Sequence, residues 1–405
     1  MAPATKSRGA SVLLAALTAV NFLNFIDRQV LFAVFPAVKA DLGLSDAELG
    51  LSASAFIVVY MLVTPVAGWL GDRFRRLPIV AASVAVWSAA TAVSGSAGSF
   101  GQLLFSRTLV GVGEATYSPL SSAMIADAFP LARRGSSLAT FNVAVPVGSA
   151  CGYVLGGLIA ERFGWRAAFY LVGAPGLVLA AMMPFLGEPE RGATDSPSAE
   201  APSVRRFADL WRSPVYGVTT AAMAALTFVL GGLGAWMPTF LFRVHGLSLA
   251  SASVTFGLLT AVTGLAGTVL GGWMGDWALR RHPSGYLRVS AAGLLLAAPA
   301  AWLAIGSDQP AIFWSATAAA EILVFLNTGP LNAVIVSVAA PRLRATAVAF
   351  NILCIHLFGD ALSPWIIGAL SDGIGLRAAL GVVPPLLIVA GVLCLAAGRF
   401  MPQRR

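Results

Sequence analysis

Charge is what this chain has least of. Only 11% of its 405 residues are Asp, Glu, Lys or Arg, against about 25% in an ordinary soluble domain. Together with 58% hydrophobic residues and a mean hydropathy of +0.81, this excludes a soluble globular protein and leaves a polytopic membrane protein. Cysteine is nearly absent as well. Cys151, Cys354 and Cys394 all lie in apolar runs, an odd number in the wrong setting for a disulfide framework or a metal cluster, so they are expected to pack as small buried hydrophobes. The sequence offers no metal-ligand cluster, phosphate loop, nucleophile–base spacing or large soluble domain. An enzyme or a signalling receptor is therefore not expected, and neither is a metal or a cofactor. The formal charge of +8 comes from short basic clusters between apolar runs. That pattern suits loops held on one side of a membrane and argues against nucleic acid.

Apolar windows long enough to cross a roughly 30 Å hydrocarbon core fall at 11–38, 48–70, 77–95, 101–128, 136–160 and 165–186. They resume at 214–242, 250–275, 287–305, 311–339, 345–371 and 377–399. The first run continues past Asp27 to about Val38, too long for a signal-peptide core, and reads as a retained helix. The expectation is an all-α membrane protein of twelve transmembrane helices. With the N-terminus inside, nineteen basic residues fall on the cytoplasmic side and five opposite, while Arg28 and Arg107 stay within the membrane. That asymmetry puts both termini in the cytoplasm.

The longest polar stretch, 187–213, divides the chain into six-helix bundles at 1–186 and 214–405. Its Pro-, Ser- and acid-rich start reads as a flexible cytoplasmic linker. "VRRFADLWRS" at its end places Val204, Phe207, Leu210 and Trp211 on one face, the pattern of a short interfacial helix. "GWLGDRFRR" (68–76) and "GWMGDWALRR" (272–281) follow the second helix of each half, so the halves are repeats and a substrate site belongs near mid-membrane between them.

Within the fourth window, "RTLVGVGEATYSP" (107–119) keeps Arg107 and Glu114 two helical turns apart. Each charge would cost about 2.5–3.5 kcal/mol facing lipid, so this stripe must face a bundle interior or a watered cavity. It carries Arg107, Gly111, Glu114 and Ser121, flanked by Tyr117 and Ser118. The first helix offers a matching stripe, Asn21, Asn24 and Asp27/Arg28. At ~1.5 Å rise per residue, Asp27 and Glu114 lie about 24 and about 20 Å from the cytoplasmic side. In the second half Glu321 sits midway along helix ten, and His356 and Asp360 are spaced i, i+4 in helix eleven. Four carboxylates thus face two guanidiniums inside the membrane, and desolvated carboxylates without a fixed cation neutralise by taking up protons. A static network that fixes helix packing uses the same residues. "PVGSACGYVLGG" (146–157) strings Gly148, Gly152 and Gly156 at spacing for close helix packing. "GGLGAWMP" (231–238) is expected to break helix seven and to present Trp236 to a cavity wall.

Gly68, Leu70, Asp72, Arg73 and Arg76 resemble the loop motif of the major facilitator superfamily, with Arg75 where that family usually has glycine. The resemblance implies two packed six-helix bundles and a gate latched by Asp72, Arg73 and Arg76, with Asp276 as the second-half counterpart. "NFLNFIDR" (21–28), "GVGEATYSP" (111–119), "IADAFPLARRG" (125–135), "GAWMPTFL" (234–241), "NTGP" (327–330) and "IHLFGDALSP" (355–364) resemble the Spinster-like transporters within it. That likeness implies cargo of sphingolipid or lysophospholipid type, and places Asp27, Arg28, Arg107 and Glu114 on the family's polar cluster and Asp360 on its eleventh-helix motif. The expected function is a secondary transporter using protons as coupling ion, in a bacterial inner membrane and as a monomer among membrane lipids. Asp27 and Glu114 are expected to share the proton. Arg107 orients the headgroup, and Arg28, Asn24, Tyr117, Trp236, Glu321, His356 and Asp360 complete the substrate site. The alternative is a proton-coupled carrier of small organic anions or drugs.

Overall fold

The computed structural model describes residues 4–191, 212–339 and 343–401, and every regular element among them is helical. In lipid, a backbone must satisfy its own hydrogen bonds, and long apolar runs do so as helices. In chain order they are α1 (Ala4–Leu42), α2 (Asp46–Arg73), α3 (Arg76–Gly95), α4 (Phe100–Ala128), α5 (Leu131–Phe163) and α6 (Trp165–Met182). There follow α7 (Pro214–Arg243), α8 (Leu249–Arg281), α9 (Gly285–Gly306), α10 (Pro310–Phe325), α11 (Thr328–Val338), α12 (Arg344–Ile355), α13 (Ser363–Ile374), α14 (Leu376–Leu380) and α15 (Val383–Arg399). The interfacial helix expected near 204–211 lies outside the described residues.

Eleven segments of the described residues are long and apolar enough to cross a membrane, α10–α11, α12–α13 and α14–α15 each counting as one. The segment missing from that set is α4, which carries Arg107, Glu114 and Asp127.

Three of the expected helices are interrupted, each where a proline four residues on removes the N–H its carbonyl would have met. Pro330 follows the break at 326–327, where Asn327 Nδ2 donates to the Leu323 and Val324 carbonyls at 2.8 and 3.1 Å. Pro364 follows a π-helical turn over His356–Asp360, and Pro384 and Pro385 follow the step between α14 and α15. Helix seven was expected to break and does not: α7 runs through Gly231, Gly232 and Pro238. Its glycines serve close packing, since a Cβ on Gly231 would stand 2.4 Å from that of Asp360.

By contacts the chain divides into two units: Met1–Ala199 with Leu241–Gly257, and Glu200–Phe240 with Leu258–Arg405. In unit 1, Leu17, Val20, Val84, Trp87, Val110 and Met124 share a buried core. Gly148, Gly152 and Gly156 of α5 lie on α1, where added Cβ atoms would stand 2.7 Å from Phe22 O, 2.6 Å from Ile26 O and 2.9 Å from the Ala33 Cβ. In unit 2, Leu287, Leu294, Val324, Leu331 and Leu387 form the core, with Cys394 among them. Cys394 and Cys354 are buried and Cys151 is half-buried, and all three are free thiols. Both units turn helix pairs on positive-φ glycines, among them Gly164 at 82° and Gly375 at 83°, conformations that side chains with a Cβ resist. Large apolar residues such as Leu62, Val262, Leu265 and Trp302 point outward, as a lipid-facing surface requires.

Candidate functional site

The two polar stripes of unit 1 meet. Arg107 Nη1 donates to Asp27 Oδ1 at 3.0 Å, and Arg28 Nε donates to Glu114 Oε2 at 2.7 Å. Neighbours in sequence therefore pair with different positions on α4, because consecutive residues point about 100° apart around a helix. The seven-residue spacing on α4 supplies the two receiving levels, about 10 Å apart along its axis. Thr91 of α3 donates its hydroxyl to the second Asp27 oxygen. The result is two acids and two fixed cations, crossed between α1 and α4.

Gly111, one of two glycines between the charges, brings in α2 as a fourth helix. A Cβ on Gly111 would stand 2.7 Å from Phe56 O of α2. That close approach lets α2 lay aromatic rings against the cations. The Arg28 guanidinium lies 5.1 Å from the Phe25 ring centre, 5.0 Å from that of Phe56 and 5.0 Å from that of Tyr60. Arg107 lies 5.7 Å from Phe56. Such faces hold a desolvated cation without neutralising it.

The two pairs differ in access. The Arg107 and Asp27 side chains are 2% and 3% exposed, whereas Arg28 is 25% exposed and its partner Glu114 0%. Arg28, rather than the expected Arg107, is the guanidinium that solvent reaches. Three buried polar atoms at the cluster have no hydrogen-bond partner among the described residues: Glu114 Oε1, Arg107 Nε and Asn24 Nδ2. Leaving such atoms unsatisfied costs on the order of 1–3 kcal/mol each, so this is where an added proton or polar ligand gains most.

Other candidates stand elsewhere. Tyr117 is buried, its hydroxyl donating to the Leu17 carbonyl and its ring edge-on to Trp87 at 5.3 Å, so it ties α4 to α1 instead of facing a cavity. Trp236 is also turned inward, 0% exposed, with Nε1 donating to Pro364 O at 2.9 Å. In unit 2, Glu321 accepts from Thr260 at 2.9 Å and Thr263 at 2.5 Å. No guanidinium reaches it among the described residues. His356 Nδ1 lies 2.9 and 3.0 Å from the two Asp360 oxygens across the π turn, a type of bulge often found at functional positions.

At the expected gate loop, Arg76 rather than Asp72 makes the cross-helix contact: Arg76 Nη1 meets Asp127 Oδ2 of α4 at 2.5 Å. The Asp72 carboxylate is exposed and joins no ion pair among the described residues; its backbone carbonyl accepts from Arg191. Arg73 lies against Trp69, 5.7 Å from its ring centre. Arg75 has φ −58°, an ordinary value, so the absent family glycine is not needed there. Asp276 accepts from the Tyr286 hydroxyl at 2.7 Å. The sequence reading missed a buried carboxylate in unit 1, Asp46. It takes Lys39 Nζ at 2.6 Å and both Arg243 Nη atoms at 2.7 and 2.9 Å. The short 39–46 spacing could have flagged Lys39. Nothing local pointed to Arg243.

Long apolar helices in two units, with paired charges sunk in one of them, define an integral membrane protein with a polar interior site. Residues 17–359 match the family described as Major Facilitator Superfamily. The chain is 36% identical over 387 residues to Protein spinster homolog 1 of Bos taurus, covering 89% of this chain and 73% of that one. It is 31% identical to Protein spinster of Drosophila melanogaster over 368 residues, covering 88% of this chain and 61% of that one. A bacterial homolog of the human lysosomal transporter Spinster, solved in an inward-facing and unoccupied conformation, superposes with a TM-score of 0.89. Its identity is 27%, with 97% of this chain and 98% of that one covered. The chain is therefore a multi-pass membrane transporter that belongs to the major facilitator superfamily and, within it, to the Spinster family.

Proposed function

We propose that this transporter moves an amphipathic lipid-like molecule, of lysophospholipid or sphingoid type, by proton-coupled alternating access. One observation carries the coupling: Arg28 is a partly exposed guanidinium on an aromatic bed whose counter-ion, Glu114, is fully buried with one oxygen unpartnered. A proton taken onto Glu114 neutralises that carboxylate and releases Arg28 for an anionic headgroup. Loss of the proton restores the pair and competes the headgroup off. Asp27 shares the role at the second level, where Arg107 and Thr91 hold it. The cargo class rests on likeness to the Spinster relatives, and the polar cluster supplies the headgroup chemistry.

The same reading makes α4 the twelfth membrane span. Its charges are paired within the protein, which removes most of the penalty for carrying them across. The bundles are then 1–186 and 214–405, the 187–213 linker and both termini are cytoplasmic, and the membrane is a bacterial inner membrane. The gate loop around Asp72, Arg73 and Arg76, with Asp276 in the second half, latches the cytoplasmic side.

The test is reconstitution into liposomes with an imposed pH gradient and a panel of lysophospholipids, sphingoid bases and small organic anions. Gradient-driven accumulation of a tailed species is the expected outcome. Accumulation confined to tail-less anions would replace the cargo class, and no gradient dependence for any of them would remove the coupling.

A further inference from the structure

We propose that unit 2 carries a binding site for one anionic phospholipid of the surrounding bilayer, at the turn between α8 and α9, separate from the polar cluster of unit 1. A groove of about 350 Å³ opens there, near the lower end of the roughly 300–1,000 Å³ typical of ligand pockets. Its walls are apolar and come from three helices of unit 2: Trp277 and Ala278 of α8, Gly293 and Leu296 of α9, and Leu323 of α10. Its rim is basic: Arg281, His282 and Arg288.

The rim is organised for an anion. The Arg281 guanidinium lies over Trp277, 3.5 Å from the ring centre, which holds the cation without neutralising it. Arg288 Nη2 lies 2.9 Å from His282 Nε2 and Ser284 Oγ lies 2.8 Å from Nδ1. At most one of the five Arg288 N–H donors is spent on the His282 ring. No carboxylate pairs with Arg281 or Arg288 among the described residues. The nearest acid in sequence, Asp276, is taken by the Tyr286 hydroxyl at 2.7 Å and does not line the groove.

Charge gives way to apolar surface along a single helix. From Arg288 to Leu296 α9 descends ~12 Å at ~1.5 Å per residue, and Trp277, Arg281, Arg288 and Leu296 are all exposed outward. The fitting occupant has a phosphate at the helix ends and a hydrocarbon chain running inward from it. Basic pockets between membrane helices take anionic headgroups in this way. This site does not depend on what the transporter carries.

The experiment uses the purified, delipidated full-length protein titrated with dioleoyl phosphatidylglycerol or dioleoyl phosphatidylcholine, with bound lipid counted by native mass spectrometry. The wild type is expected to retain one phosphatidylglycerol in preference to phosphatidylcholine. Arg281→Ala/Arg288→Ala should weaken that binding by about tenfold or more and leave phosphatidylcholine unchanged. Ala292→Trp keeps both arginines and fills the groove, and it should weaken binding as well, which keeps the test decisive if the double variant folds poorly. Arg377→Ala, which removes an exposed arginine of unit 2 outside the groove, should retain the lipid. Equal binding of the two lipids by the wild type, or undiminished phosphatidylglycerol binding in the groove variants, would overturn the site. Loss of the lipid in Arg377→Ala as large as in the groove variants would mark the binding as general charge attraction and overturn the site too.

Discussion

The two units handle their buried acids in opposite ways. Unit 1 balances charge: Asp27 and Glu114 each meet one arginine, crossed between α1 and α4. Unit 2 does without fixed cations. Glu321 rests on two threonine hydroxyls, and Asp360 faces a histidine whose charge depends on protonation. The four carboxylates and two guanidiniums counted in the sequence are thus unevenly shared, and the whole acidic excess belongs to unit 2. In unit 1, moving a proton changes which groups are paired. In unit 2, it changes the charge of Glu321 or of the His356–Asp360 pair without freeing an arginine. That contrast makes Glu114 the site where a proton and a headgroup compete for one partner.

Breaking the balance in unit 1 should have the largest effect. Arg107→Ala leaves Asp27 buried with only Thr91, and removing one partner of a buried pair costs about 3–5 kcal/mol. A large fall in Tm in detergent and loss of transport are expected, with the Asp27→Asn/Arg107→Ala double variant recovering part of the Tm. Next comes Glu114→Gln, which keeps the shape and an oxygen for Arg28. Stability should stay within about 1 kcal/mol while gradient-driven accumulation falls at least about tenfold. A Tm drop matching that of Arg107→Ala would instead mark the cluster as packing.

Glu321→Gln sharpens the contrast from the other side. The amide still accepts from a threonine hydroxyl and no cation is orphaned, so Tm should hold or rise. Accumulation should fall less than in Glu114→Gln; the reverse order would move coupling to unit 2. The smallest effect belongs to Arg377→Ala, which removes a solvent-exposed pair with Asp308. Exposed pairs contribute little, so both Tm and transport should match the wild type.

Much of this was legible in the sequence, because hydropathy and helical periodicity are local. The polar stripes, the matched depth of Asp27 and Glu114 and the packing stripe on α5 all follow from spacing along one helix. Which arginine meets which acid does not, since it depends on how neighbouring helices are rotated. For the same reason Tyr117 and Trp236 were expected at a cavity and instead turn inward to backbone carbonyls. The breaks before Pro330, Pro364 and Pro384 were readable in principle, as each proline strips one hydrogen bond from the helix. The continuity of α7 was less so, because packing on the α12–α13 side holds a glycine-rich helix together. Asp46 with Arg243 was out of reach: their contact spans 197 residues of chain.

Competition between a proton and a headgroup for Arg28 is tested most directly by lysophospholipid uptake into proteoliposomes under an imposed pH gradient, comparing wild type with Glu114→Gln. The wild type should accumulate the lipid above equilibrium while the variant only equilibrates it. Accumulation by Glu114→Gln as high as that of the wild type would contradict the mechanism.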